Sequence, residues 1–318
     1  MSKTAYNELD YTSAVARLRA LEIRLLGKTD YEKLITAGSV EEAMDILANS
    51  GWKASDDYQD MLSGELAGVF SLIERLGGGL FLKTQRLKYD YLNLKALIKS
   101  ELTGQSPDGL LTEFGSIPVS ELQNAVLNRD YKMLPKNMKT AISEAYEQFS
   151  RIADAQLVDI IFDGAFFKDL LEYSKDIPDK KISSLIKLQI DMHNIKTFVR
   201  VRKMGKTHGF IERVVMDGGS LEREFYIERI NSHPGDDAAV FEKTSFARVF
   251  QVRGDIETGL DNLFMEKVRA ARPGAFGLAP LAAYFLMKEN EIRNVRIILI
   301  CKKAGIDEDI IRTRLRAV

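Results

Sequence analysis

The sequence predicts an all-α protein built from three similar helical domains, and three observations carry that expectation. Apolar residues recur at helical spacing along nearly the whole chain, and no region sustains the two-residue alternation of a strand. Residues that start and stop helices punctuate this pattern. One short motif returns three times, at intervals of 101 and 100 residues, a period too long for a solenoid and suited to duplicated domains.

The bulk properties allow this and exclude other classes. A chain of 318 residues can form two or three compact units, each with its own core. Forty-five Lys and Arg against 46 Asp and Glu leave a net charge of −1, without the basic excess of a nucleic-acid binder. The single cysteine, Cys301, rules out an internal disulfide and fits a reducing cytosol. It lies in the apolar run from Ile297, so it reads as a buried structural thiol. Met1 to Asp10 lacks the apolar core of a secretory signal. The longest uncharged stretch, Pro273 to Met287, is interrupted by Gly274, Gly277 and Pro280 and falls short of the ~20 apolar residues of a membrane span. It reads as a buried segment with a helix starting near Pro280, so membrane association is expected only through partners.

In chain order, an opening helix over Ala16 to Leu26 is expected to end at Gly27. Thr29-Asp30-Tyr31-Glu32 and Ser39-Val40-Glu41-Glu42 have the capping-box form, in which hydroxyl and carboxylate satisfy free amides at a helix start. Gly104, Gly205 and Gly305 each follow a strongly helical run, where a left-handed residue ends a helix. Lys136 to Lys175 reads as one continuous helix containing Gly164. These stops place the domains at 1–104, 105–205 and 206–318, with the N-terminal helix packing on the C-terminal repeat.

The motif is acid-x-x-Asn-aliphatic-base. Its copies carry Asp90, Asn93 and Lys95; Asp191, Asn194 and Lys196; and Glu291, Asn294 and Arg296. Each reaches its glycine eleven residues after the asparagine. Acid and asparagine, three apart, share one helical face. A Gly-Ser pair expected to start another helix follows at Gly38-Ser39, Gly115-Ser116 and Gly219-Ser220. A repeated packing need, with each asparagine bonding local backbone, explains three copies more simply than three ligand or metal sites.

Enzymatic readings fare poorly. Gly205-Lys206-Thr207 ends like a phosphate-binding loop, but Arg200 stands where that loop needs a glycine, and the preceding element reads as helix. Asp56, Asp57 and Asp60 could hold magnesium against a diphosphate. The second aspartate pair, Asp236-Asp237, lacks a third member, so acids at a helix start explain both clusters. His193, His208 and His233 lack metal-binding spacing. No catalytic residue, cofactor or metal is expected.

Residues 89–99, 191–200 and 291–316, with the opening helix of Tyr11 to Leu26, resemble the C subunit of prokaryotic A-type and V-type ATPases, whose eukaryotic counterpart is the d subunit. The resemblance covers essentially the whole chain. It implies three helical domains in a pseudo-threefold funnel that caps the membrane rotor ring on its cytoplasmic side and receives the axle of D and F subunits. The implied role is non-catalytic torque transmission at the inner face of the cell membrane; the alternative is a helical-repeat adaptor with no motor role. The basic run Lys196, Arg200, Arg202, Lys203, Lys206 and His208 then admits two readings, cations opposing a helix dipole or a patch gripping acidic residues of axle or ring. Arg312, Arg314 and Arg316 admit the same two.

Overall fold

The computed structural model describes residues 7–205, 208–251 and 255–317. Among them every regular element is a helix, with no strand. In chain order the helices are α1 (Thr12–Glu22), α2 (Lys28–Thr36), α3 (Val40–Asn49), α4 (Tyr58–Arg75), α5 (Gly79–Thr103), α6 (Val119–Asn128), α7 (Lys136–Ile152) and α8 (Ala155–Ser174). They continue as α9 (Lys180–Lys203), α10 (His208–Val214), α11 (Arg223–Arg229), α12 (Asp237–Phe241), α13 (Ala247–Gln251), α14 (Ile256–Ala271), α15 (Ala279–Lys303) and α16 (Glu308–Arg314). No helix is long and apolar enough to cross a membrane among the described residues.

By internal contacts the chain divides into two compact units. The first comprises residues 1–79, 179–185 and 245–318, and the second comprises residues 80–178 and 186–244. Motif copies at Asn93 and Asn194 fall in the second unit and the copy at Asn294 in the first.

The first unit is organised on α15. Its N-terminal run from Ala279 to Leu286 is buried on every side, the mark of a core helix rather than a surface one. Pro280 sits in its first turn, where a missing N–H costs nothing. Helices α1 to α4, α14 and α16 pack on α15 or on each other, so both ends of the chain share one core. Phe70 of α4 meets Phe285 of α15 edge-on, with ring centroids 4.9 Å apart. Lys302 Nζ donates to the carbonyls of Ile35 and Ala37, satisfying the open C-terminal end of α2 from across the unit. The Arg19 guanidinium donates to the carbonyls of Arg272 and Gly274, tying α1 to the segment before α15.

The second unit packs α7 and α8 as an antiparallel hairpin with α5, α9 and the short helices α10 to α12. Phe198 of α9, Tyr226 of α11 and Phe241 of α12, all fully buried, form an aromatic cluster with centroids 5.6–6.4 Å apart. Tyr91 donates to Asp169 at 2.5 Å, and Lys95 and Lys99 of α5 pair with Asp163 and Asp159 of α8 at 2.9 and 3.0 Å.

Local structure departs from the sequence expectations at four places. The expected helix Lys136 to Lys175 is two, because Ala153 adopts φ 53° and the Asp154 carboxylate then caps α8 by accepting the Gln156 N–H. Gly27 does not end α1. That helix stops at Glu22, and Gly27, extended at φ −96°, opens α2, its N–H donating to Asp30. The cap of α2 therefore sits two residues before Thr29, which lies inside the helix. Gly115-Ser116 and Gly219-Ser220 start no helix; Ser39 alone of the three serines is an N-cap, accepting the Glu42 N–H.

Candidate functional site

The three asparagines are fully buried and each closes a two-way hydrogen bond with one backbone position. Asn93 donates to the Thr112 carbonyl at 2.7 Å and accepts the Thr112 N–H at 2.9 Å. Asn194 does the same with Met216 at 2.7 and 2.8 Å, and Asn294 with Arg316 at 3.1 and 2.9 Å. A side-chain amide matches a peptide group in donor and acceptor, so one asparagine holds a returning loop as a strand neighbour would.

The acids are buried too, and two of them have a backbone cradle. Asp90 accepts the Ile117 N–H at 2.9 Å, and burial pushes its carboxyl up to about 6 against the pull of the donors at Ser116 and Ile117. Asp191 accepts from the Ser220 N–H and hydroxyl and from the Leu221 N–H at 2.6–3.1 Å. The Gly-Ser pairs are these cradles. A β-carbon at Gly115 or Gly219 would overlap the carboxylate of Asp90 or Asp191, so the approach requires glycine.

Glu291 is arranged differently. It accepts the Leu26 N–H at 2.7 Å and pairs with Lys288 at 2.5 Å, and Lys288 also pairs with Glu65 at 2.6 Å. Two carboxylates raise the Lys288 pKa despite its burial. This triad gave no sequence signal, because Glu65 and Lys288 stand far apart and Lys288 ends an apolar run.

The bases diverge in use. Lys95 pairs with Asp163, Lys196 is half-buried and Arg296 is exposed. Gly104, Gly205 and Gly305 end α5, α9 and α15 at φ 72°, 61° and 65°.

In the basic run, Arg202 turns inward. It donates to the Ser232 and His233 carbonyls at 2.9 and 2.6 Å, approaches Asp237 at 3.3 Å and lies over the Phe198 ring. Arg200 and Lys203 are exposed in the last turn of α9, and Lys206 and Thr207 lie outside the described residues. The C-terminal arginines are engaged within their own unit: Arg312 with Glu32, Glu308 and Asp309, Arg314 with Cys301 Sγ, and Arg316 with Asp261. The His193 ring packs tilted against Phe167 with centroids 4.7 Å apart; burial and the cations Arg200, Lys196 and Lys95 push its pKa down to about 4 over the opposing pull of Asp163.

Asp57 caps α4, accepting the Gln59 and Asp60 N–H groups at 2.7 and 3.1 Å, and Asp236 caps α12. Among the described residues no group of three or more His, Cys, Asp or Glu side chains is placed to hold a metal ion.

The repeated polar groups thus serve the fold, and comparison with known proteins shows which family uses it. A family model described as ATP synthase (C/AC39) subunit matches residues 14–314. The chain belongs to the ATP synthase (C/AC39) subunit family. It is 23% identical over 325 residues to the C subunit of the V-type sodium ATPase of Enterococcus hirae, covering 98% of this chain and 99% of that protein. To the C subunit of the A-type ATP synthase of Methanococcoides burtonii it is 22% identical, covering 98% and 96%. To that of Methanocaldococcus jannaschii it is 23% identical, covering 99% and 88%. The C/AC39 match includes all three motif copies.

Proposed function

We propose that this C/AC39 family member is a non-catalytic part of the central stalk of an A/V-type ATPase or ATP synthase. It joins an axle of D and F subunits to the membrane rotor ring during ATP-linked proton or sodium transport. In this reading it sits in the cytoplasm at the inner face of the membrane, held there by its partners, with three similar helical domains set as a pseudo-threefold funnel. The family match across residues 14–314 carries the proposal. The motif geometry supports it, since buried acids and asparagines committed to backbone stiffen helical units that must transmit shear.

A joint that must not slip needs interfaces of the obligate class, upward of about 2,000 Å² in total. The exposed cations Arg200 and Lys203 are the partner contacts that this reading favours, facing acidic residues of axle or ring. The double reversal Arg200→Glu/Lys203→Glu is expected to weaken assembly with axle and ring at physiological salt while leaving helix content and melting unchanged. Unaltered assembly would reduce the pair to a helix end opposing its own dipole.

A further inference from the structure

The first unit contains a cavity of about 280 Å³ between α1, α4 and α15, and its charges are unbalanced. Arg17 and Arg24, two turns apart along the α1 segment, and Arg75 in the last turn of α4 line it and are exposed. No acidic side chain among the described residues forms an ion pair with any of the three. The wall also carries Lys288, 6% exposed, with its Nζ 4.7 Å from the centre of the Trp52 ring. Lys288 is held by Glu65 and Glu291, so its own group carries one net negative charge. Adding the three arginines leaves the site at +2.

Three like charges around one concavity repel each other, and a low-dielectric wall focuses their field outward. A bound anion would relieve that repulsion. Guanidinium forks match the oxygens of a phosphate group better than point charges do. Trp52, 4% exposed, also lines the wall.

We infer that this cavity is a binding site for a phosphate group, with Arg17, Arg24 and Arg75 as its ligands above a floor of Lys288 and Trp52. The +2 balance selects a dianion, as in inorganic phosphate, pyrophosphate or a phosphate monoester headgroup.

Trp52 is the only tryptophan in the chain, so its fluorescence reports on this site alone. Full-length protein is titrated with phosphate and pyrophosphate at ionic strength fixed with sodium chloride, and separately with phosphatidylcholine vesicles with and without phosphatidic acid. A saturable change is expected, with Kd raised roughly tenfold or more in Arg17→Gln/Arg24→Gln and in Arg75→Gln. Arg17→Lys/Arg24→Lys, which keeps charge and packing but loses the fork, should fall between. Lys132→Gln/Arg151→Gln, at exposed positions in the other unit, should bind as the unaltered protein. Response to the soluble anions assigns a free phosphate, and response only to phosphatidic acid vesicles assigns a headgroup; either supports the site. The inference is overturned if no arm saturates by about 10 mM phosphate groups. It is equally overturned if the arginine variants, melting normally, bind with unchanged Kd. Assembly with axle and ring is a separate readout, so failure here leaves the stalk reading intact.

Discussion

Asn194 has its amide oxygen and nitrogen both bonded to Met216, inside a core where water cannot replace either partner. Asn194→Ala is therefore expected to destabilise the protein by about 1–3 kcal/mol, seen as a lower urea midpoint at unchanged slope. A change below about 0.3 kcal/mol would mean the loop at Met216 holds itself. His193 yields a second residue-scale expectation. Its folded pKa, about 4, lies below the unfolded value near 6.5, so the folded state keeps it neutral. Its contribution to stability is complete above pH 6.5 and is lost as pH falls from 6.5 to 4, on the order of 3 kcal/mol. His193→Gln should flatten that stretch of the stability-pH curve, and an equally steep curve would place the acid sensitivity elsewhere. The motif positions were legible because three copies repeat the same residue types at the same spacing. What those residues hold was not, since the partners lie 19 or 22 residues onward in loops without periodicity. Arg202 shows the same limit, since nothing in the run Arg200 to Lys203 marks it as the cation that turns inward.

At the scale of elements, the α7–α8 break shows where helical periodicity misleads. Ala153 takes a left-handed conformation that an alanine adopts at a cost of about 1–2 kcal/mol, and apolar spacing continues on both sides of it. The usable signal was Asp154 ahead of Gln156 and Leu157, an N-cap inside what reads as helix. Ala153→Gly removes the steric cost and adds chain entropy in the unfolded state, so a net gain of about 0.5–1 kcal/mol is expected in thermal or urea melts. A loss of stability would mean that the Ala153 methyl makes contacts worth more than the strain. Gly27 illustrates the opposite case. A glycine after a helical run reads as a stop, but α1 had already ended at Glu22, and Asp30 claims the Gly27 N–H to start α2. The Gly-Ser pairs were visible as repeats; the first starts a helix as expected, and the other two differ in role. A serine after glycine resembles an N-cap, yet at Gly115 and Gly219 the backbone bends around a buried carboxylate one helix away.

For the whole molecule, the helical class was legible because period and stop signals agree along the chain, and no segment calls for a strand. The first unit gathers both chain ends around α15, with Lys302 bonded to the end of α2 and Arg312 to Glu32. The sequence leads us to expect the N-terminal helix on the C-terminal repeat, while the division into two units by contact has no counterpart in the motif spacing. We propose that this C/AC39 member works by joining partners. The most direct test is affinity purification of the tagged chain from detergent-solubilised host membranes, with identification of everything that co-purifies. A stalk role predicts the D and F subunits and the rotor-ring subunits of an A/V-type ATPase, retained together at physiological salt. Recovery of the chain free of all three, from membranes in which the rest of the complex is intact, would contradict it.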